Sequence, residues 1–197
     1  MSAGPSSEIV ASKVLATFLS LVSSRPAPEV VDLGPAIGSN ITFLGERIGC
    51  RIHVKDLYAD LDRHAHQGML DRFAEFLGGR FTGFDESIDA VLCWDVFDYL
   101  VPAAASVLAG GLIQALRPGG ALLAFFGSGR PGERSYTRYL IEDEAHLRYR
   151  FSDAACGRER ALQNRDILRL FAGLDLFDSV LLKSGVREVL FQKPHPR

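Results

Sequence analysis

The sequence predicts an α/β fold: a doubly wound, mostly parallel sheet with a C-terminal antiparallel hairpin, its third strand short or missing. Three observations predict it. Short apolar runs alternate along the chain with stretches of helical period, as in successive strand–helix units. Two of the runs, "SIDAVLCW" and "ALLAFF", are almost continuously apolar, as strands covered on both faces are. The last stretch, "DSVLLKSGVREVLF", reads as two alternating strands around Lys183–Ser184–Gly185.

The elements follow in order. Ile9, Val10, Val14, Leu15, Phe18, Leu19 and Val22 recur at intervals of three and four, which predicts an N-terminal helix over 8–24, stopped by "RPAPE". "EVVDLG" is the first strand of the alternation, and a helix runs from about Gly38 to Ile48. "CRIHVKD" is the next strand. "YADLDRHAHQGMLDRFAEFLGG" is helical, in one or two pieces, and ends on a glycine pair. "GRFTGF" is the one candidate for the weak third strand. "SIDAVLCW", the helix "VPAAASVLAGGLIQAL", the break "RPGG" and "ALLAFF" follow. Residues 128–164 are a candidate lid insertion, polar, Arg-rich and without clear period over 128–160, and the short helix "NRDILRLFAG" follows.

A chain of 197 residues has the size of one ordinary domain, and no repeat or linker divides it, so 1–197 is read as a single domain. Its 47% hydrophobic and 23% charged residues fit a folded soluble protein. A net charge of −2 gives no electrostatic case for nucleic acid or an anionic membrane. No apolar run is long enough for a bilayer. "MSAGPSS" lacks the basic and apolar regions of a secretory signal, which leads to the expectation of a cytoplasmic protein. Cys50, Cys93 and Cys156 are far apart, with neither disulfide nor metal spacing, and are read as reduced thiols. His64 and His66 are read as surface histidines; no metal site is expected.

The stretch "VVDLGPAIGSN" carries the chemistry. Ligands of open α/β sheets bind outside the carboxyl ends of the strands, where glycine lets backbone approach them and helix-start amides attract an anion. A dinucleotide wants G-x-G-x-x-G there and would need glycines at Ala36 and Ser39. S-adenosylmethionine wants an acid two residues before the first glycine, as in D-x-G-x-G-x-G. Asp32, Gly34 and Gly38 fit the second pattern, with Ala36 in place of its middle glycine. Asp56, at the end of the next strand, can accept hydrogen bonds from both hydroxyls of a ribose, or can cap the following helix.

With "VVDLGPAIG", "HVKD", "DESIDAVLCWDVFDYL", "LRPGGALLAFF" and the terminal hairpin in this order, the chain resembles the class I S-adenosylmethionine-dependent methyltransferases from about Glu29 to Phe126 and again at the hairpin. The resemblance implies a seven-stranded sheet whose last strand runs antiparallel between the fifth and the sixth. It implies S-adenosyl-L-methionine as cofactor. Asp32, Gly34, Pro35, Ala36 and Gly38 would contact its methionine part, with Ser39 and Asn40 starting the adjacent helix. Asp56 would hold the ribose, with Leu57 at the sugar or adenine. Cys93, Trp94 and Asp95 would line the methionine and the transfer site. The sequence departs from the family at Ala36 and in lacking an acid after the third strand to meet the adenine. "CWDVFDYL" stands where the exocyclic-amine transferases of nucleic acid carry Asn-Pro-Pro-Tyr.

The expected activity is methyl transfer to an oxygen or nitrogen of a small molecule, by a monomer or homodimer acting neither on nucleic acid nor at a membrane. Asp95 is the candidate catalytic residue, and Tyr99, Arg130, Tyr136 and Tyr139 are the candidate substrate contacts. The insertion at 128–164 is read as a lid that recognises an anion through Arg forks, or as a solvated segment whose arginines pair with Glu142, Asp143, Glu144 and Asp153. The alternative function is a degenerate, non-catalytic cofactor-binding or partner protein of the same fold.

Overall fold

The computed structural model describes residues 8–127, 129–159 and 161–196. Among them the strands form two sheets. The larger has the order β3-β2-β4-β5-β9-β8, built from β2 (Glu29–Asp32), β3 (Arg51–Val54), β4 (Ile88–Trp94), β5 (Leu116–Phe126), β8 (Asp175–Leu181) and β9 (Arg187–Gln192). β3, β2, β4 and β5 are parallel; β9 lies antiparallel between β5 and β8. This is the implied order without its third strand. "GRFTGF" ends helix α4 (Phe73–Arg80) and then turns, with Phe81 buried in the core, so β3 remains the sheet edge.

β4 is buried along its whole length because both faces of the sheet are covered. Val91 and Cys93 point into a cluster with α3 (Leu57–His66), α4, α5 (Pro102–Ala115) and α6 (Asn164–Leu170). Ala90, Leu92 and Trp94 point the other way, towards α1 (Lys13–Ser23), Leu44 beyond α2 (Gly38–Phe43) and the second sheet. The long helical stretch after β3 is indeed in pieces: α3, a turn, and α4.

Two segments differ from their sequence expectation. The N-terminal helix does not span 8–24. Glu8–Ala11 form strand β1, and Ser12 caps α1, its hydroxyl accepting from the Leu15 amide over 3.1 Å. The β-branched pair Ile9–Val10 satisfies a helical stripe by spacing but suits an edge strand. The insertion is not irregular: β6 (Ser135–Ile141) and β7 (His146–Asp153) form an antiparallel hairpin, and β1 adds to β7. Arg138 and Arg150 are cross-strand partners on its exposed face, and such outward charges conceal the strand period. Of the expected ion pairs, Arg148 meets Glu142, while Glu144 is taken by Arg47 from outside the insertion.

Candidate functional site

Register brings the site residues to one level. Asp32, the last residue of β2, pairs with Val54 of β3 and Leu92 of β4. Two residues further along each strand stand Gly34, Asp56 and Trp94, at the carboxyl ends where α/β sheets hold ligands. The backbone is stitched across this level: the Leu33 amide donates to the Leu92 carbonyl, and the Leu57 amide donates to the Leu33 carbonyl.

Asp32 is buried and accepts at Oδ1 from the Gly34 amide (2.8 Å) and from the indole Nε1–H of Trp94 (2.7 Å). Burial pushes its carboxyl up to about 6, against the pull of these two donors. Trp94 has a φ of +52°, in the left-handed region that a bulky residue rarely occupies. Its ring is stacked on Tyr139 at 5.2 Å and meets Phe125 edge-on. A Cβ on Gly34 would come within 2.6 Å of that indole, so glycine is required for the ring to lie there. Asp32 and Gly34, which the sequence reading puts in the cofactor loop, are thus in contact with Trp94, which it puts at the end of the fourth strand beside the transfer site.

The remaining loop residues divide. Ala36, Gly38 and Ser39 are exposed, so the Ala36 methyl faces no crowding, and Pro35 is half-buried. Asn40 is buried and turned to β6: its Nδ2 donates to the Tyr139 carbonyl (2.8 Å) and its Oδ1 accepts from the Ile141 amide (2.9 Å). Asp56 is half-buried. One carboxylate oxygen accepts from the Ala59 amide (3.0 Å) and caps α3; the other has no partner among the described residues. Leu57 is fully buried. Cys93 is fully buried on the face opposite Trp94, and burial pushes its thiol well up.

Asp95 is buried with both oxygens engaged, by the Tyr58 hydroxyl (2.6 Å) and by Nη2 of Arg158 (2.7 Å). The other arm of Arg158 donates to Asp98 (2.5 Å), which also accepts from the Gly127 amide (2.7 Å). Burial and the neighbouring Asp95 push Asp98 up to about 7, against the pull of Arg158. Arg158 lies over the Tyr99 ring at 4.8 Å. Tyr58, Tyr99 and Tyr136 pack edge to face, and Tyr136 donates to Asp62.

Of the candidate substrate contacts, Tyr139 lines a cavity of about 220 Å³ beside Asp95 and Arg158, beneath the inner face of the small sheet. Tyr99 and Tyr136 are buried in the tyrosine cluster, and Arg130 is exposed in the turn before β6. Sequence reasoning missed Arg158 because "GRER" offers nothing to distinguish it from the other arginines of the insertion. It also misplaced His64, which is buried, donates from Nδ1 to the Asp60 carbonyl, and packs on Phe73 and Phe76. His66 makes the same bond to the Asp62 carbonyl and is exposed, so the sequence offers no local signal that separates the two histidines.

No family model matches the sequence, and no curated protein is similar to it. Solved structures are similar in fold. The Burkholderia thailandensis 1,6-didemethyltoxoflavin-N1-methyltransferase, solved with its substrate and S-adenosylhomocysteine, superposes with a TM-score of 0.53 at 18% identity, over 93% of this chain and 78% of its own. An S-adenosylmethionine-dependent methyltransferase from Methanosarcina mazei gives 0.55 at 11% identity, over 94% and 99%. A glycopeptide N-methyltransferase in complex with S-adenosylmethionine gives 0.51 at 16% identity, over 91% and 92%. The chain therefore has the fold of the class I S-adenosylmethionine-dependent methyltransferases, in a divergent form whose sheet ends at β3.

Proposed function

We propose that this chain binds S-adenosyl-L-methionine at the carboxyl ends of β2, β3 and β4 and transfers its methyl group to an oxygen or nitrogen of a small molecule. The observation that carries the reading is the coincidence, in this fold, of Gly34, Asp56 and Trp94 at one level of the sheet. The methyltransferases of this fold described above include two solved with the cofactor or its demethylated product, which supports the choice of ligand.

The residues fit the cofactor at its ribose end. Asp56 keeps a carboxylate oxygen that has no partner among the described residues and can meet the sugar hydroxyls, and Ala36, Gly38 and Ser39 of the loop are exposed. At the amino-acid end the indole of Trp94 rests on Gly34, so binding there requires the ring to move off it. When bound, the cofactor supplies an activated methyl group on a sulfonium. The chain's own contribution is alignment and exclusion of water. Asp56 orients the sugar, the loop from Gly34 to Gly38 holds the amino-acid end, and the small sheet with Arg158 closes the acceptor side. Asp95 serves as a base only after one of its two donors is released.

One observation favours the second reading, a fold that keeps the frame and has lost turnover. Trp94 on Asp32 and Tyr58 on Asp95 fill the crevice with the chain's own side chains. Calorimetric titration with S-adenosylhomocysteine and with S-adenosylmethionine, followed by a labelled-methyl assay, separates the two. Binding with transfer supports the first, and binding without transfer across a broad acceptor panel supports the second. Binding of NAD in place of both overturns the cofactor assignment.

A further inference from the structure

We infer that the cavity under the small sheet is a binding site for a small organic ammonium ion, which makes the acceptor of the proposed reaction an amine. Naming it an acceptor rests on the proposed activity; the site itself does not.

The cavity, about 220 Å³, is below the about 300–1,000 Å³ of drug-sized ligand pockets, so its occupant is small. Its wall is built by register. Glu8, Tyr149 and Tyr139 are cross-strand neighbours on β1, β7 and β6, in one row on the inner face. Tyr139 continues the row to Trp94, at the strand end where Asp95 begins the transfer site. Asp95, Glu133 and Arg158 complete the polar lining.

Two independent features select a cation. Arg158, the basic residue of the wall, is already shared between Asp95 and Asp98, whereas neither Glu133 nor Glu8 has a cation partner among the described residues. The wall therefore carries excess negative charge, on two carboxylates that are exposed at its rim. The Tyr149 hydroxyl, on a side chain 6% exposed, has no hydrogen-bond partner among the described residues and can accept from an ammonium N–H. Besides burial, the surrounding Glu188, Asp95 and Glu8 charges oppose its ionisation. Tyr149 and the more exposed Phe151 also line the cavity, and aromatic rings offer a cation a quadrupole attraction. For methylation, the bound ammonium gives one proton to a wall carboxylate such as Glu133, which lacks a cation partner among the described residues and accepts at Oε2 from the Arg130 amide. Its nitrogen lone pair then forms the bond to the methyl carbon, and the carbon–sulfur electron pair leaves with sulfur.

Benzylammonium, benzyl alcohol and benzoate share a shape and differ in charge. Each is titrated into the full chain without cofactor, by calorimetry and by the fluorescence of Trp94, the single tryptophan, which stacks on Tyr139. Benzylammonium is expected to bind about tenfold or more tightly than benzyl alcohol, with benzoate not binding. Glu133→Gln, in a turn outside the strands, should reduce that preference several-fold at an unchanged melting temperature. Benzoate binding as tightly as the amine, or no binding by any of the three, overturns the inference. Amine binding without S-adenosylhomocysteine binding keeps the site and removes the methyl-transfer reading; the reverse result removes the site alone.

Discussion

Trp94 donates its indole N–H to the buried carboxylate of Asp32 over 2.7 Å, while its ring lies against Gly34. One side chain thus joins the end of β4 to the loop after β2, and it does so from a left-handed backbone conformation at φ +52°. Such a conformation costs on the order of 1–3 kcal/mol and persists only where surrounding contacts determine it. Here they are Tyr139, Phe125 and Asp32.

Asp32 should make stability fall as pH rises. Its folded pKa, about 6, lies above the ordinary 3.8, so between these values the folded chain holds a proton that the unfolded chain has released. Stability is therefore lost as pH rises from about 4 to 7 and is level above that. Asp98, pushed up to about 7, acts in the same window. Asp32→Asn keeps an acceptor for Gly34 and Trp94 but does not ionise. Urea unfolding should show the variant gaining about 2–3 kcal/mol on the wild type between pH 4.5 and pH 8. An equal difference at both pH values would mean that Asp32 does not titrate in the folded protein.

Trp94→Leu should tighten cofactor binding while loosening the fold. If the ring must leave Gly34 before the amino-acid end can enter, the wild type binds through a minor conformer, and removing the ring lifts that penalty. S-adenosylhomocysteine should then bind about tenfold more tightly to the variant. Loss of the stacked indole should cost about 2–4 kcal/mol of folding stability. Weaker binding by a folded variant would make Trp94 part of the ligand surface instead of its gate.

How far the sequence revealed this arrangement depends on what each residue packs against. β4 was legible because both its faces are buried, so its apolar run needs no phase. The level of Gly34, Asp56 and Trp94 was legible because parallel strands of known order end together. β1 was not, since Ile9 and Val10 fit a helix by spacing and become a strand only by pairing with β7, 137 or more positions away. Asn40 follows the same logic: its place beside the glycine loop suggested a ligand, but its amide clamps the backbone of β6, which no local pattern foretells. Arg158 is defined by two carboxylates some 60 residues upstream, Asp98 and Asp95.

Asp56 has two roles that substitution can separate. Asp56→Ala removes both the cap on α3 and the proposed ribose contact; Asp56→Ser keeps a capping hydroxyl only. Both should weaken S-adenosylhomocysteine binding by about 1–3 kcal/mol, the usual loss for hydrogen bonds to a charged group. Only the alanine variant should also lose about 1 kcal/mol of stability. Unchanged dissociation constants in both variants would remove Asp56 from the ribose.

Arg158→Met should be the most destabilising single change near the site, and its cost should depend on the two acids it bridges. The guanidinium is 11% exposed and donates to both Asp95 and Asp98, whose side chains are 1% and 3% exposed. Removing it leaves two buried carboxylates facing each other without a cation, a loss of about 3–5 kcal/mol for a broken buried pair. The same substitution with Asp95→Asn and Asp98→Asn removes the uncompensated charge along with its partner. Most of the loss should then be recovered, because replacing all members of a buried ionic group is often close to neutral. Chemical denaturation of the single and triple variants measures this coupling. A triple variant as unstable as Arg158→Met would show that Arg158 stabilises the fold through its packing on Tyr99 and not through its charge.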